Sequence, residues 1–395
     1  MNYRTRVERV ASWLASEGLA AALLVDEEEH RNPAIRYLTG HPSDALLFVL
    51  PEARTILLPW DVNLSRTLAV ADEIIPYTDF KRSLAEAYSA ITSRFALTGR
   101  IEISGGTSYP LVRKLAERVP ELAIECREGG IDATIARQRA IKDADELAKI
   151  EEAAEATNRL LATIEERLAR SGWNDAQSGA GGDSARRADT PGRRPSDLPS
   201  EADVALFIER EARMLGAEGM SFETLAAGPA RSFGIHAFPA FGAGPFGGPG
   251  LSILDFGLRV DGYPSDVTVT VATGKLTPRQ EEMIGLVEEA YDLSLALVAP
   301  GRPTAEIARA VDGRFERAGY SMPHALGHGL GLRIHESPAV NSREGNTDIL
   351  EPGMVITIEP GLYHPEAGGV RKENDLLITE NGFKMLTTAR ILRLP

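Results

Sequence analysis

Apolar residues in the first 125 positions fall into two alternating patterns. Val7, Val10 and Leu14 recur at helical spacing with charged residues between them, and a continuous apolar run at 19–25 follows, which predicts an amphipathic helix leading into a buried strand. Further short apolar runs at 45–50, 54–58 and 100–103, together with 20–25, predict an α/β domain around a mixed sheet. Beyond it, Leu147, Ile150, Ala154, Thr157, Leu161, Ile164 and Leu168 keep a spacing of three or four over a long helix, with Asp143 and Glu146 placed as its N-terminal cap. Helix is predicted again from Glu201, behind Ser200 and Asp203, then from Thr277-Pro278-Arg279-Gln280, and again from Thr304. Strand and loop patterns fill 221–271 and return after Tyr320. The order helix, helix, strands thus occurs twice, a weak internal duplication that predicts a cleft between the halves. A domain at 1–125, a connection at 126–142 and a second domain at 143–395 follow from these patterns. The stretch 171–199 has almost no aliphatic residues and predicts a flexible insert with solvated arginines.

Composition narrows the function. A chain of 395 residues with 43% hydrophobic and 25% charged residues has the make-up of a soluble two-domain protein with a large core. Its net charge of −14 disfavours phosphate backbones and anionic lipid, so no nucleic-acid partner is expected. The run at 19–25 is far shorter than a bilayer span requires, so no membrane segment is expected either. Cys126, the single cysteine, cannot form an internal disulfide and is expected to be a buried apolar residue in a cytoplasmic protein.

Candidate chemistry begins at 251–271. Asp261-Gly262 between two β-rich runs predicts a hairpin with a two-residue turn. Val260 then pairs with Tyr263, Asp255 faces Thr268 and Asp266 faces Gly257, which is expected to leave space. Asp255 and Asp266 become diagonal neighbours on one face, about 7–8 Å apart at the backbone and able to share an ion, with Thr268 beside them to orient a carboxylate. Carboxylates in apolar strands demand partners, because burying them unpaired is prohibitive. Three later motifs supply candidates: His324-Ala-Leu-Gly-His328-Gly-Leu-Gly-Leu-Arg-Ile-His335-Glu336, then Met354-Val-Ile-Thr-Ile-Glu359-Pro-Gly-Leu-Tyr363, then Val370-Arg371-Lys-Glu373-Asn-Asp-Leu-Leu-Ile378. Together with His236, these place several histidines and four carboxylates in one half of the chain. The Phe- and Gly-rich loop 233–250, with Phe238, Phe241 and Phe246, either walls a pocket for a proline ring or packs as an ordinary loop.

On these motifs the chain resembles the pita-bread metallopeptidases, the family of methionine aminopeptidase, aminopeptidase P, prolidase and the metal-free creatinase. The resemblance covers 140–395 and extends to 1–125, where Ile35-Arg36-Tyr37-Leu38-Thr39-Gly40 is similar to the creatinase-type N-terminal domain. It implies an α/β (α+β) protein: a creatinase-like α/β domain, then a pseudo-twofold pita-bread domain whose antiparallel sheet is covered by helices. Asp255, Asp266, His328, Glu359 and Glu373 are its implied metal ligands. Four carboxylates and one imidazole can hold two divalent ions, Mn²⁺ first with Co²⁺ or Zn²⁺ as alternatives, about 3.5–4 Å apart. Asp266 or Glu373 would bridge them, and a shared water would be acidified into a hydroxide nucleophile.

Outside that set the resemblance implies catalytic roles for His236, His324 and His335, the last contacting the scissile carbonyl. Glu359 doubles as proton acceptor, and Arg371, keeping its family place beside Glu373, is implied to bind substrate with His335 and Phe238. The implied activity is cleavage of the Xaa-Pro bond in dipeptides or short peptides, by a homodimer in which the N-terminal domain closes a neighbour's cleft with segment 37–44, carrying His41 and Asp44. Two departures restrain strict dipeptide recognition: Val269 stands where the family often has arginine, and Ala339 replaces an arginine for which Arg343 is the nearest substitute. A relative's non-peptide substrate, ectoine-like or sulfonium, is an alternative within the fold. A peptide-binding module with a retired site is another, against which the complete ligand set argues.

Overall fold

The computed structural model describes residues 2–28, 31–169 and 199–395, in two compact units, Met1–Arg139 and Ala140–Pro395. The insert expected at 171–199 lies outside the described residues except for Pro199. In the first unit the helical spacing of Val7, Val10 and Leu14 produces the helix Tyr3–Glu17, which buries all three and ends at Gly18 in the left-handed conformation. The next apolar run becomes the strand Ala21–Asp26, buried along its whole length. It lies inside a six-stranded sheet of order Glu73–Ile74, Thr55–Pro59, Ala45–Val49, Ala21–Asp26, Gly99–Ile103 and Leu122–Glu125. Its neighbours run antiparallel on one side and parallel on the other, the mixed sheet expected. Two edge strands escaped the pattern because they are short and only partly buried.

Tyr37 to Thr39 close the helix Pro33–Thr39, because Asn32 caps its start and Pro33 presets its first turn. In the loop that follows, His41 is fully buried with Nδ1 3.1 Å from Ser65 Oγ, and Asp44 is ion-paired to Arg31. Cys126 is exposed, not part of a core.

In the second unit each cap read from the sequence forms. Asp143 and Glu146 exchange backbone-to-carboxylate hydrogen bonds at 3.0 and 3.1 Å ahead of the helix Ala144–Ala169. Ser200 with Asp203 and Thr277 with Gln280 form capping boxes for Glu201–Met214 and Pro278–Leu297, and Thr304–Arg317 completes the second helix pair. Leu160, Val204 and Phe207 of the first pair share a core with Leu254, Phe256, Val267 and Val269. Ile284, Val287, Val311 and Phe315 of the second pair share another with Ile356, Ile358 and Leu376. Each helix pair therefore covers its own sheet.

Those sheets position the site. In one, Gly250–Phe256 pairs antiparallel with Val267–Thr273 in the predicted register, Thr268 opposite Asp255. Val267, Val269 and Val271 point into the core; period-two alternation then turns Thr268 and Thr270 to the other face. The second sheet runs Glu336–Val340, Gly327–Gly329, Val355–Ile358, Asn374–Thr379, Gly382–Met385. A single backbone bridge, Glu373 N–H to Thr268 O at 3.2 Å, ties the two together.

The hairpin departs from expectation at one point. Val260 does pair with Tyr263, but the ladder stops at Val267 opposite Phe256, and the Asp266 N–H donates to Asp375 Oδ2 at 2.9 Å. Nor does Gly257 leave space: a Cβ there would lie 1.8 Å from the Ser265 carbonyl oxygen. Glycine is required because backbone passes so close. Gly257→Ala should lower stability by about 1–3 kcal/mol, the cost of forcing an extra carbon into packed surroundings. Chemical denaturation reads this as a lower midpoint; an unchanged midpoint would show that the strands part freely.

Candidate active site

Sheet alternation and the bridge gather the predicted side chains onto one cavity of about 540 Å³. Its lining includes Asp255, Asp266, His328, Glu359 and Glu373, with His236, His324, His335, Phe238 and Arg371. All five implied ligands and the three implied catalytic histidines line this cavity. Asp266, His328 and Glu373 each present one ligand atom within 4.8 Å of the others. His328 Nε2 lies 3.6 Å from both Asp266 Oδ2 and Glu359 Oε1. Asp255 is drawn aside, its Oδ2 accepting from Arg371 Nη2 at 2.5 Å while its Oδ1 is buried without a partner.

The electrostatics of this cluster are severe. Burial, then repulsion from Glu373 and the other acids, pushes Asp266 far above the usual carboxylate range. Glu359 moves the same way for the same reasons. Burial, with Asp255 adding to it, raises Glu373 to about 8, and burial raises Asp255 despite the opposing Arg371 charge. Arg371 is only 2% exposed. Burial works against its charge, but Tyr363 and the surrounding carboxylates hold it cationic. One guanidinium cannot neutralise four carboxylates. A divalent cation can, and the unpartnered Asp255 oxygen, the hard-oxygen donors and the single imidazole all fit one.

The imidazoles are set by their hydrogen bonds. Nδ1 of His328 faces the Gly329 carbonyl at 3.2 Å, so Nδ1 carries the proton and Nε2 presents a lone pair between Asp266 and Glu359. Burial lowers this ring to about 4, keeping it neutral. His324 is built alike: Nδ1 donates to the Ala325 carbonyl at 2.8 Å, and Nε2 accepts from Tyr363 Oη at 3.0 Å. Burial lowers it too to about 4. Tyr363 Oη in turn accepts from Arg371 Nη1 at 2.6 Å. His335 sits edge-on to His328, ring centroids 4.3 Å apart, and is exposed on the cavity. His236 also lies exposed on the lining.

Some placements differ from the sequence reading. Arg371, read as a substrate contact, spends its donors on Asp255, Thr268, Tyr363 and the Ile235 carbonyl, holding a carboxylate and a wall loop in place. Of the three phenylalanines only Phe238 lines the cavity, at its rim and 98% exposed. Phe246 is fully buried in the first core and Phe241 packs against it, because the loop folds back on the helix start at Glu201. Val269 also faces that core, and Ala339 donates its N–H to Asp348. Arg343 is exposed beside a second cavity of about 210 Å³ that shares His324 and Ala325 with the first.

Three supporting residues were missed. Thr357 Oγ1 accepts the His328 N–H at 3.1 Å, Tyr363 links Arg371 to His324, and Asp375 is fully buried against the Asp266 N–H. Asp375 carried a signal, an acid within the apolar run 374–379, the same signal that exposed Asp255.

A carboxylate and imidazole cluster in a cleft of a duplicated sheet-and-helix fold defines a metal-dependent hydrolase. Residues 148–380 match the model of metallopeptidase family M24, and residues 6–141 match the creatinase/prolidase N-terminal domain; the chain belongs to family M24 and is a metallopeptidase of pita-bread architecture. It is 30% identical, over 97% of both chains, to the protein named "Putative dipeptidase YkvY" of Bacillus subtilis. Its fold is similar to that of the prolidase of Pyrococcus horikoshii, with TM-score 0.80, 25% identity and 98% and 99% of the chains covered. The Xaa-Pro dipeptidase of Bacillus anthracis shares the fold at TM-score 0.81 and 24% identity over the whole of both chains. No described helix is long and apolar enough to cross a membrane.

The raised carboxylates make stability depend on pH. Glu373 holds its proton more tightly folded than unfolded, so its contribution is full below about pH 4.5 and is lost as pH rises through about 8. Asp255, Asp266 and Glu359 act in the same direction. Chelated, metal-free protein should therefore melt at a lower temperature at pH 8 than at pH 6, and a divalent cation should reverse the loss. A metal-free melting temperature that rises over this interval would contradict the electrostatic account.

Proposed function

We propose that the protein hydrolyses the Xaa-Pro bond of dipeptides or short peptides, using two divalent cations, Mn²⁺ first with Co²⁺ or Zn²⁺ as alternatives. The observation that carries the reading is the convergence of all five candidate ligands and three further histidines on one cavity whose remaining wall is apolar apart from Glu223 and Arg371. Structural similarity to a prolidase and an Xaa-Pro dipeptidase, and sequence similarity to YkvY, support the choice of bond. Asp255, Asp266, His328, Glu359 and Glu373 would hold the cations. Bound there, divalent cations supply Lewis-acid polarisation of a carbonyl and lower the pKa of water.

The chain's own groups do the rest. Phe222, Leu225, Ile235 and Phe238 flank the buried carboxylates and seat the residue before proline, excluding water from one side of the bond. His335, outside the ligand set but against His328, donates to the scissile carbonyl oxygen as negative charge grows there. Glu359, whose proton affinity burial has raised, takes the proton of the attacking water and delivers it to the proline nitrogen as the C–N bond breaks. Neutral His324, fixed by Tyr363 and the Ala325 carbonyl, stands 3.9 Å from Glu359 and faces the substrate on that side of the site. His236, exposed on the same lining, contacts substrate. Homodimerisation and a cytoplasmic location, implied by the resemblance and consistent with the charge and the lone thiol, complete the proposal.

Xaa-Pro dipeptides and Xaa-Pro tripeptides, assayed with Mn²⁺, Co²⁺ and Zn²⁺ in turn, should be cleaved before proline, while matched Xaa-Ala peptides are not. Equal turnover of both series would overturn the bond assignment. His335→Ala should reduce kcat by about 10²-fold or more, the scale of a lost transition-state hydrogen bond, with metal content near wild type by elemental analysis. Joint loss of metal and activity would place His335 among the ligands instead.

A further inference from the structure

The cavity wall carries one charge that the hydrolytic machinery does not use. Glu223 lines the cavity between Phe222 and Leu225, is exposed to solvent, and takes no hydrogen bond or ion pair among the described residues. Every other acid on the lining is one of the proposed metal ligands. Nor is Glu223 on a wandering loop. Two residues before it the Ser221 N–H donates to the Gly257 carbonyl at 2.8 Å, and two residues after it Leu225 pairs with Asp255 itself. Four residues from Ser221 to Leu225 thus face only two, Gly257 and Asp255, on the neighbouring strand, so 222–224 bulges out of the ladder and both Phe222 and Glu223 reach the cavity.

Resting on the Xaa-Pro reading, we propose that Glu223 selects substrates whose residue before proline carries a cationic side chain, lysine or arginine. Such a side chain is an aliphatic stem with a charged tip, and it buries the stem while leaving the tip in water. The cavity offers the matching sequence of surfaces: apolar Phe222, Leu225, Ile235 and Phe238, then a solvated carboxylate. The α-ammonium of the substrate is a poorer match, since it stands next to the scissile bond and hence among the buried carboxylates, away from the exposed rim. An acidic side chain would meet Glu223 as a like charge.

The test uses the full-length, Mn²⁺-loaded protein and its Glu223→Gln and Glu223→Lys variants, with Lys-Pro, Leu-Pro and Glu-Pro and their alanine-extended tripeptides. Wild type should show kcat/KM for the lysine substrate about fivefold above the leucine substrate, the scale of a solvent-exposed ion pair, with Glu-Pro lowest. The ratio should shrink as salt is raised. Glu223→Gln should bring the lysine-to-leucine ratio to about one, and Glu223→Lys should move the preference to the glutamate substrate. Cleavage of all three series at equal kcat/KM, or a lysine preference that survives Glu223→Gln, overturns this inference alone. Failure to cleave any of them overturns the Xaa-Pro reading and this inference with it.

Discussion

Four carboxylates buried around one guanidinium cannot all be ionised without a further positive charge, and the catalytic unit is organised around that constraint. Burial, and then repulsion from neighbouring carboxylates, raises the proton affinity of Asp266, Glu359 and Glu373, while the scaffold denies them escape. Asp266 is fixed through its N–H by Asp375, Glu373 through its N–H by Thr268, and His328 through its N–H by Thr357. Strands from both sheets supply these restraints. The fold thereby stores electrostatic cost at one point and holds it ready for cations, as a preorganised metal site must.

Arg371 is the counterweight on one side of the cluster. Its pairing with Asp255 removes one carboxylate oxygen from the pool facing His328, and its bonds to Thr268, Tyr363 and the Ile235 carbonyl tie that pair to the sheet, to His324 and to the wall that carries His236. The same side chain therefore connects ligand, imidazole and substrate wall. This explains why it is buried so completely, and why a lysine, with one point charge and no planar fork, could not replace it.

Much of this was legible in the sequence because the signals were local. Capping boxes at Asp143, Ser200 and Thr277 depend only on residues three apart, and the register that sets Asp255 opposite Thr268 depends only on an Asp-Gly turn and period-two alternation. What was not legible depends on contacts distant in sequence. Gly257 is needed for a backbone approach from Ser265, Phe246 turns into the core because its loop folds back on Glu201, and Arg371 reaches Asp255, 116 positions away.

The proposed function requires Asp255, Asp266, His328, Glu359 and Glu373 to hold two divalent cations together, and anomalous diffraction from crystals of the Mn²⁺-loaded protein would locate them. The account predicts two manganese peaks in the cavity, each bounded by oxygens of these carboxylates, with His328 Nε2 coordinating one of them and Asp255 turned to share its second oxygen. A map with no peak there, or with manganese bound only elsewhere while the four carboxylates keep to one another and to Arg371, would contradict it.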